Sequence, residues 1–535
     1  MALRPSSVRA VMLRDVAARA DTTVPEPSGV SVTGASVDSK NVAPGDLFGA
    51  FPGFNRHGAV FAADAVAAGA VAILTDAAGA EQLLTIGVPV LIASDARLAM
   101  GEAAALIFGD PSRDLVFVGV TGTNGKTTTS YFIDNALAQT HPHRGLMGTV
   151  ELRIGDEAVE SPRTTVESPV LHALLGRMRE EGVTAAITEV SSHAAALERI
   201  SGAQFAVAVF TNLQWDHLDF HGTMENYLKA KAKLFAPGRA RRAVINIDDQ
   251  WGRQLASEVK IPVETVATRL DSASSGAALA ANWAVTEADI GLDGIGSRFT
   301  FRDPQGELHE AHSPLPGLVN VSNALVAIVT AHAAGIDLAD AINGVASAPG
   351  VPGRMERVIE RSAADPLAIV DYAHTPDALT LALEGVRPIT PGKLILIFGS
   401  DGDRDQGKRP VMGEIAARLA DVIVLTDENP RSEEPAAIRA AIRAGIQNVR
   451  PDLADVHEVE PRVAAVEYGL RLGVPGDTVI VTGKGHEPTQ EVAGVFYRYN
   501  DRDAYLRAHE LIVADRVDAE RIDAVRVDAE REGEA

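Results

Sequence analysis

The stretch Leu115-Val-Phe-Val-Gly-Val-Thr-Gly-Thr-Asn-Gly-Lys-Thr127 constrains this chain more than any other, because an apolar run leads through a glycine-hinged turn into Lys126-Thr127. The run 115–120 reads as a buried strand and the segment from Lys126 as a helix, the order of elements that builds a phosphate cradle. Gly122 and Gly125 let the backbone of Gly122, Thr123, Asn124 and Gly125 turn its N–H groups inward. Lys126 can then reach the outer phosphates, and Thr127, followed by Thr128, stands at a helix N-terminus where its hydroxyl can ligate magnesium. The common P-loop has glycine six positions before the lysine. Val120 stands there in this chain, which makes the loop the more compact Gly-x-x-Gly-Lys-Thr form. A glycine turn that binds nothing is the competing reading, and the Lys-Thr pair after an apolar strand argues against it. The expected ligand is a nucleoside triphosphate.

At 535 residues the chain is too long for one core, and about three or four domains are expected. The absence of cysteine removes disulfides, thiolate metal sites and a cysteine nucleophile together. A net charge of −23 disfavours broad binding to nucleic acid or to an anionic membrane, so an anionic ligand must be held by local cations and backbone N–H groups. No run approaches the ~18–20 apolar residues that cross a bilayer, and residues 1–20 hold no signal-like apolar segment. A cytoplasmic protein with no membrane insertion is expected.

Residues 1–113 read as a small N-terminal α/β domain with Pro111 near its end. Within it Asp38-Ser39-Lys40 by itself reads as a turn with a solvated charge. Residues 114–349 alternate strands (115–120, 185–190, 205–210, 243–247) with helices, which argues a doubly wound parallel sheet. Polar residues follow its strands: Glu189-Val-Ser-Ser-His193, then Thr211-Asn212 and Trp215-Asp-His217-Leu-Asp-Phe-His-Gly222. Glu189, and less so His217, are plausible ligands of a hard cation. A single histidine is more often a hydrogen-bonded structural residue, but here several cluster behind strand ends. Lys229, Lys231 and Lys233 alternate along a helix of 224–235, so at most one or two can point inward. Asn320 and Asn323 share a helix face and could read an adenine edge or cap the helix.

Residues 350–510 repeat the strand–helix alternation, with strands at 367–370, 394–398, 422–426 and 478–481, so a second, Rossmann-like sheet is expected. Each strand end carries polar residues: Asp371-Tyr-Ala-His374, the loop of Arg404, Glu428-Asn429-Pro-Arg431, and Gly483-Lys-Gly-His-Glu487. Such clusters should line a cleft shared with the phosphate loop. In 511–535 the segment Arg516-Val-Asp-Ala-Glu-Arg521 recurs as Arg526-Val-Asp-Ala-Glu-Arg531, a charged repeat that reads as a solvated helix or tail without chemistry.

Taken in order, Gly-Thr-Asn-Gly-Lys-Thr, Glu-Val-Ser-Ser-His, Asp-His-Leu-Asp-Phe-His-Gly, Gly-Arg-Met-Glu, Asp-Tyr-Ala-His-Thr-Pro, Gly-Asp-Arg-Asp-x-Gly-Lys-Arg-Pro, Asn-Pro-Arg and Gly-Lys-Gly-His-Glu resemble the Mur ligases of bacterial cell-wall synthesis, from about Val30 to Arg507. The nearest pattern is that of the members adding a diamino acid to UDP-N-acetylmuramoyl-L-alanyl-D-glutamate. The resemblance implies an ATP-dependent amide ligase that works through an acyl phosphate with Mg2+, and a monomer is expected. By the same resemblance Glu189 binds magnesium, His217 helps hold a second ion, and Lys231 is carbamylated; with Lys126 these form the catalytic set. Asn320, Asn323, Arg354, Asp371 and His374 would handle the nucleotide. Ser39, Thr164, Thr165, Ser191 and Arg199 would hold the UDP precursor, and Arg404, Glu428, Asn429, Arg431, Gly483 and Glu487 the incoming diamino acid.

An arginine facing a distal carboxylate would select meso-diaminopimelate over lysine. The family's diaminopimelate enzymes read Asp-Asn-Pro-Arg, whereas this chain has Glu428, an acid one methylene longer that could disfavour the full-length substrate. Lysine, ornithine and diaminobutyrate therefore stay open. Another Mur ligase or a folylpolyglutamate synthetase would share the P-loop and plan, and the Asn-Pro-Arg element and Asp-Ser-Lys turn argue against both. A nucleotide-dependent protein that hydrolyses ATP without joining anything would release ADP without acceptor or amine.

Overall fold

The computed structural model describes residues 3–22, 29–53, 56–268, 281–290 and 296–533, with side chains described as far as Asp518. The chain divides into two compact units, the first comprising Met1–Glu287, Phe299–His312 and Ser322–Ala348, the second Ala288–Arg298, Ser313–Val321 and Pro349–Ala535.

Two larger sheets shape the first unit, beside a two-stranded pair of Val11–Met12 and Ser31–Val32. Gly34–Ser36, Asp46–Ala50, Ala72–Thr75 and Val90–Ile92 form a four-stranded parallel sheet. An eleven-stranded sheet has at its centre Arg144–Met147, Ala185–Glu189, Val116–Thr121, Phe205–Phe210 and Ala240–Asn246, each parallel to its neighbour. Strands covered on both faces have no solvent side, which is why these segments read as continuous apolar runs rather than alternating ones. Parallel register also brings every C-terminal end to one edge, so Thr121, Glu189 and Phe210 open their loops side by side.

The strand expected from residue 243 begins at Ala240. Arg241 and Arg242 are exposed and so carry no apolar signal, yet Arg242 still pairs with Val207 in the ladder. Gly58–Phe61 forms a 3-10 turn, braced by His57 Nδ1 accepting from Ala59 N, before Ala62–Ala67 turns α-helical.

In the second unit Leu367–Val370, Thr478–Val481, Leu394–Phe398, Val422–Leu425 and Val456–Glu458 are parallel neighbours in that order, with Glu356–Ile359 antiparallel at the edge. The four polar clusters read from the sequence therefore lie along one edge of one sheet. Behind that edge sits a charge pair with no solvent contact: Arg462 donates Nε and Nη2 to the two carboxylate oxygens of Asp501, each at 2.8 Å. The same guanidinium donates to Thr482 O at 2.8 Å and Asp427 O at 3.2 Å, the carbonyls immediately before Gly483 and Glu428. Asp501 begins the long C-terminal helix Asp501–Gly533, which takes in the charged repeat and is tied down early by Arg516 to Asp365. No helix among the described residues is long and apolar enough to cross a membrane.

An uncompensated buried guanidinium is far costlier than a paired one. We predict that Asp501→Asn lowers the unfolding free energy by about 3–5 kcal/mol in denaturant titrations. A loss below about 1 kcal/mol, the range of solvated pairs, would show that the pair is not what holds these strand ends.

Candidate active site

The phosphate loop is short because Val120 is a core strand residue. It is fully buried and paired with Glu189 and Val209, so the chain leaves the sheet only at Gly122. Gly122 (φ +152°) and Gly125 (φ +85°) take conformations that L-residues rarely adopt. The neighbouring strand end braces the turn: Thr123 N donates to Asn212 O at 2.9 Å, Asn124 N to Asn212 Oδ1 at 3.0 Å, and Thr211 Oγ1 to Asn124 O at 2.6 Å. Thr128 is buried on the first turn of the helix Lys126–Leu137. Asn323 lies against the loop, for its Oδ1 accepts from Thr129 Oγ1 at 3.3 Å, and a Cβ on Gly125 would fall 2.4 Å from that oxygen. Asn320 is buried and donates to Pro316 O at 2.7 Å.

Two ammonium groups meet at the turn. Lys126 Nζ donates to Gly122 O at 3.1 Å and Thr123 O at 2.9 Å, while Lys231 Nζ, wholly buried, donates to the same Gly122 O at 2.7 Å. Burial, then the charge of Lys126, pushes the Lys231 pKa well below its ordinary value. Of the three alternating lysines Lys231 alone is buried; Lys229 and Lys233 are exposed.

Glu189 ends its strand fully buried. Its Oε2 accepts from Thr127 Oγ1 at 3.1 Å and Thr149 Oγ1 at 2.9 Å, and its Oε1 from Thr149 N at 2.9 Å. Thr127 and Glu189 thus place two hard oxygen donors together, a pair suited to magnesium. An ammonium at Lys231 does not suit a cation, whereas an oxygen-bearing derivative would. His217 caps the short helix Leu218–His221 with φ +52° and lies edge-on to His193, ring centroids 4.8 Å apart. Among the described residues no group of three or more His, Cys, Asp or Glu side chains is arranged to hold a metal.

Tyr227, invisible to motif reading, is the hub of this cluster. Its ring stacks on His221 at 4.9 Å, lies 4.6 Å below Lys231 Nζ and 6.2 Å from the His217 ring, and its hydroxyl is 3.2 Å from Thr123 Oγ1. Its spacing of four from Lys231 on one helix face was the available signal. His221 bonds Ser192 Oγ at 2.9 Å, and burial pulls its pKa down to about 4, so it serves as a neutral structural ring.

Four of the residues assigned to the precursor meet around Thr165. Its Oγ1 donates to Glu189 O at 2.9 Å and accepts from Ser191 N at 3.0 Å; Arg199 donates to Thr165 O at 3.3 Å; and Thr164 Oγ1 is 3.2 Å from Thr149 Oγ1. Ser39 stands apart in the turn Ser39–Asn41, where Asp38 accepts from Lys40 N and Asn41 Nδ2.

In the second unit Arg354 lies over the Tyr372 ring at 4.1 Å, Asp371 accepts from Met355 N and Ala373 N, each at 2.8 Å, and His374 Nδ1 contacts Tyr372 O at 2.9 Å. Burial raises the Asp371 pKa, with Arg354 opposing. Arg404 is exposed on its loop. Arg431 adopts φ +54°, held by Arg431 N donating to Glu491 O at 3.0 Å and Ala493 N to Arg431 O at 2.7 Å. Its guanidinium stands 3.7 Å from Asp401, and its buried Nε has no hydrogen-bond partner among the described residues. Asn429 donates to Glu487 Oε2 at 3.1 Å. Glu428 is buried rather than extended into solvent. A Cβ on Gly483 (φ +111°) would lie 2.6 Å from its Oε2, so the extra methylene is taken up against that glycine. Burial, then Asp401, raises the Glu428 pKa to about 8.

Burying a lysine beside a second cation is costly, since burial and the Lys126 charge both oppose its protonation. We predict that Lys231→Met raises the unfolding free energy, by about 1–4 kcal/mol, as when buried charges give way to apolar side chains of similar volume. The same change is expected to cut turnover about 10²-fold or more. Paired thermal melts and rate measurements check both; loss of stability together with retained turnover would refute the reading.

The chain matches the Mur ligase family catalytic domain over residues 31–107, the Mur ligase middle domain over 120–331 and the Mur ligase glutamate ligase domain over 353–485. A Streptomyces coelicolor protein named UDP-N-acetylmuramoyl-L-alanyl-D-glutamate--2,6-diaminopimelate ligase is 46% identical over 506 residues, 94% of this chain and 97% of its own. A Leifsonia xyli protein named UDP-N-acetylmuramyl-tripeptide synthetase is 44% identical over 480 residues, covering 89% and 91%. A solved structure of a UDP-N-acetylmuramoyl-L-alanyl-D-glutamate--2,6-diaminopimelate ligase superposes with a TM-score of 0.66 at 31% identity, over 94% of this chain and 99% of its own. With a braced phosphate loop, a buried carboxylate beside it and full-length likeness of this order, the chain belongs to the Mur ligase family, ATP-dependent ligases that join an amine to a carboxylate.

Proposed function

We propose that this protein activates the glutamyl carboxylate of UDP-N-acetylmuramoyl-L-alanyl-D-glutamate with ATP and joins it to an amine of meso-diaminopimelate, a step of peptidoglycan synthesis. The observation that carries the choice of amino acid is Arg431. Its main chain is held by Glu491 and Ala493, and its guanidinium, only 3.7 Å from Asp401 and with a buried Nε that has no hydrogen-bond partner among the described residues, is suited to a carboxylate, the group that separates diaminopimelate from lysine. The full-length relatives named for that activity support the same reading.

A carboxylate is a poor electrophile, so one of its oxygens displaces ADP from the γ-phosphorus. The deprotonated amine then attacks the acyl carbon and phosphate leaves. Lys126 at the helix N-terminus holds the phosphates and spreads the charge of the transferring group, while the N–H groups of Thr123 and Asn124 brace the loop against Asn212. Magnesium, which would be held by Thr127 and Glu189 with His217 and a carbamate on Lys231, supplies further neutralisation there. A depressed pKa favours the free-amine form of Lys231, the form that adds carbon dioxide, and a carbamate there would be an oxygen ligand where an ammonium would repel the ion. The residues around Thr165, with Arg199, present polar groups to the precursor, and the turn of Ser39 is suited to its uridine.

Glu428 favours a second reading, in which lysine, ornithine or diaminobutyrate is the amine donor, and the Leifsonia xyli relative carries a name without any amino acid. A pKa near 8 supports diaminopimelate: below it Glu428 is neutral and can donate a hydrogen bond to the distal carboxylate instead of repelling it.

With purified enzyme, ADP release is expected only when precursor and amino acid are both present. Diaminopimelate should be preferred by about 10–200-fold in kcat/KM; turnover with lysine or a shorter diamine alone would overturn the choice. Because the acid's pKa is raised, its charge appears as pH climbs. The KM for diaminopimelate should therefore rise through about pH 8, and Glu428→Gln should flatten that rise.

A further inference from the structure

Lys484 lies between the loops of the second unit and is wholly buried. Its ammonium has three N–H donors. They go to Asn429 Oδ1 at 2.8 Å, Glu487 Oε2 at 2.8 Å and Thr489 O at 2.7 Å, which leaves none for a ligand. The consequences fall on its neighbours. Asn429 Oδ1 also accepts from Glu491 N at 3.2 Å, so that atom faces two donors and the amide can stand in one orientation, with Nδ2 turned to Glu487 Oε2 at 3.1 Å. Glu487 Oε2 is thereby occupied twice, while Oε1 receives the long contact of Tyr372 OH at 3.5 Å. Burial alone would favour a protonated Glu487, and the charge and hydrogen bond of Lys484 outweigh it, keeping the acid ionised.

We propose that Lys484 is a positioning residue for the incoming amino acid: without touching it, the lysine, with the amide of Asn429 locked beside it, holds Glu487 ionised and its Oε1, which takes only the long contact from Tyr372, toward the substrate's ammonium group. The inference rests on the assignment of Asn429 and Glu487 to the amino-acid pocket. A carboxylate left to rotate, or neutralised, would bind an ammonium weakly, whereas ATP and the nucleotide precursor carry no demand for this group.

The test is steady-state kinetics of Lys484→Met, Lys484→Gln, Glu487→Gln and the double variant Lys484→Met/Glu487→Gln, with KM measured for all three substrates. Lys484→Met should raise the amino-acid KM tenfold or more while the other two stay within twofold, and Lys484→Gln, which keeps two donors, should fall between it and the parent. An unchanged amino-acid KM, or a parallel rise in all three with a fall in kcat, would overturn the proposal. Glu487→Gln run alone separates the failures: if it leaves the amino-acid KM unchanged, the pocket assignment falls, and if it raises KM while Lys484→Met does not, Lys484 alone is misassigned. Lys484→Met leaves the half-buried Glu487 carboxylate without its cation and is the variant at risk of misfolding, so the double variant, which removes both charges, decides in that event. Its amino-acid KM should lie within threefold of Glu487→Gln, and a further rise shared by all three substrates would overturn the proposal.

Discussion

One carbonyl oxygen, that of Gly122, accepts from two lysines, and the chemistry of the first unit follows from that crowding. In a chain of net charge −23, two lysine side chains are drawn onto one peptide carbonyl, and the charge of one disfavours protonation of the other. An anion is the natural complement, although the N–H groups of Thr123 and Asn124, expected to turn inward, are donated to Asn212 instead. Parallel pairing makes the crowding possible: the strand ends at Thr121, Glu189 and Phe210 emerge side by side, so loops far apart in sequence close on the same few ångströms. Burial then makes the arrangement chemically useful, because a lysine that is hard to protonate is a nucleophile rather than a fixed charge.

Much of this was legible beforehand. Buried parallel strands announce themselves as unbroken apolar runs, and Phe205–Phe210, Leu367–Val370, Leu394–Phe398 and Thr478–Val481 span the expected residues. Val120 was legible as a departure from the common loop, and its cause, membership of the core strand, became clear only with the register. What stayed hidden were partners chosen by tertiary geometry. Thr149 embraces Glu189 from forty positions away, and nothing in its own neighbourhood marks it. Tyr227 gathers two histidines and two strands' worth of loop, yet an aromatic on an amphipathic helix ordinarily means core. Arg241 and Arg242 masked the first turn of a strand whose backbone pairs regardless of side chain.

The second unit shows the same logic with the sign reversed. Acids dominate its loops, and each is tamed differently: Glu487 by Lys484, Asp371 by two backbone N–H groups and Arg354, Glu428 by holding its proton. Three carboxyls along one sheet edge are thus held as an anion, an acceptor of backbone N–H groups and an acid that resists ionisation.

The clasp of Arg462 on Asp501 bears on the order in which this edge can be finished. Its two halves are separated by 39 positions, and at ribosomal speeds of about 5–20 residues per second the second half follows the first by about 2–8 s. Until the C-terminal helix has begun, the carbonyls of Asp427 and Thr482 have no common anchor that is electrically complete. The loops at Asp427 and Thr482 are therefore completed last, by a helix that also brings Tyr505 into the core behind the strands, where its hydroxyl donates to Val479 O at 3.1 Å.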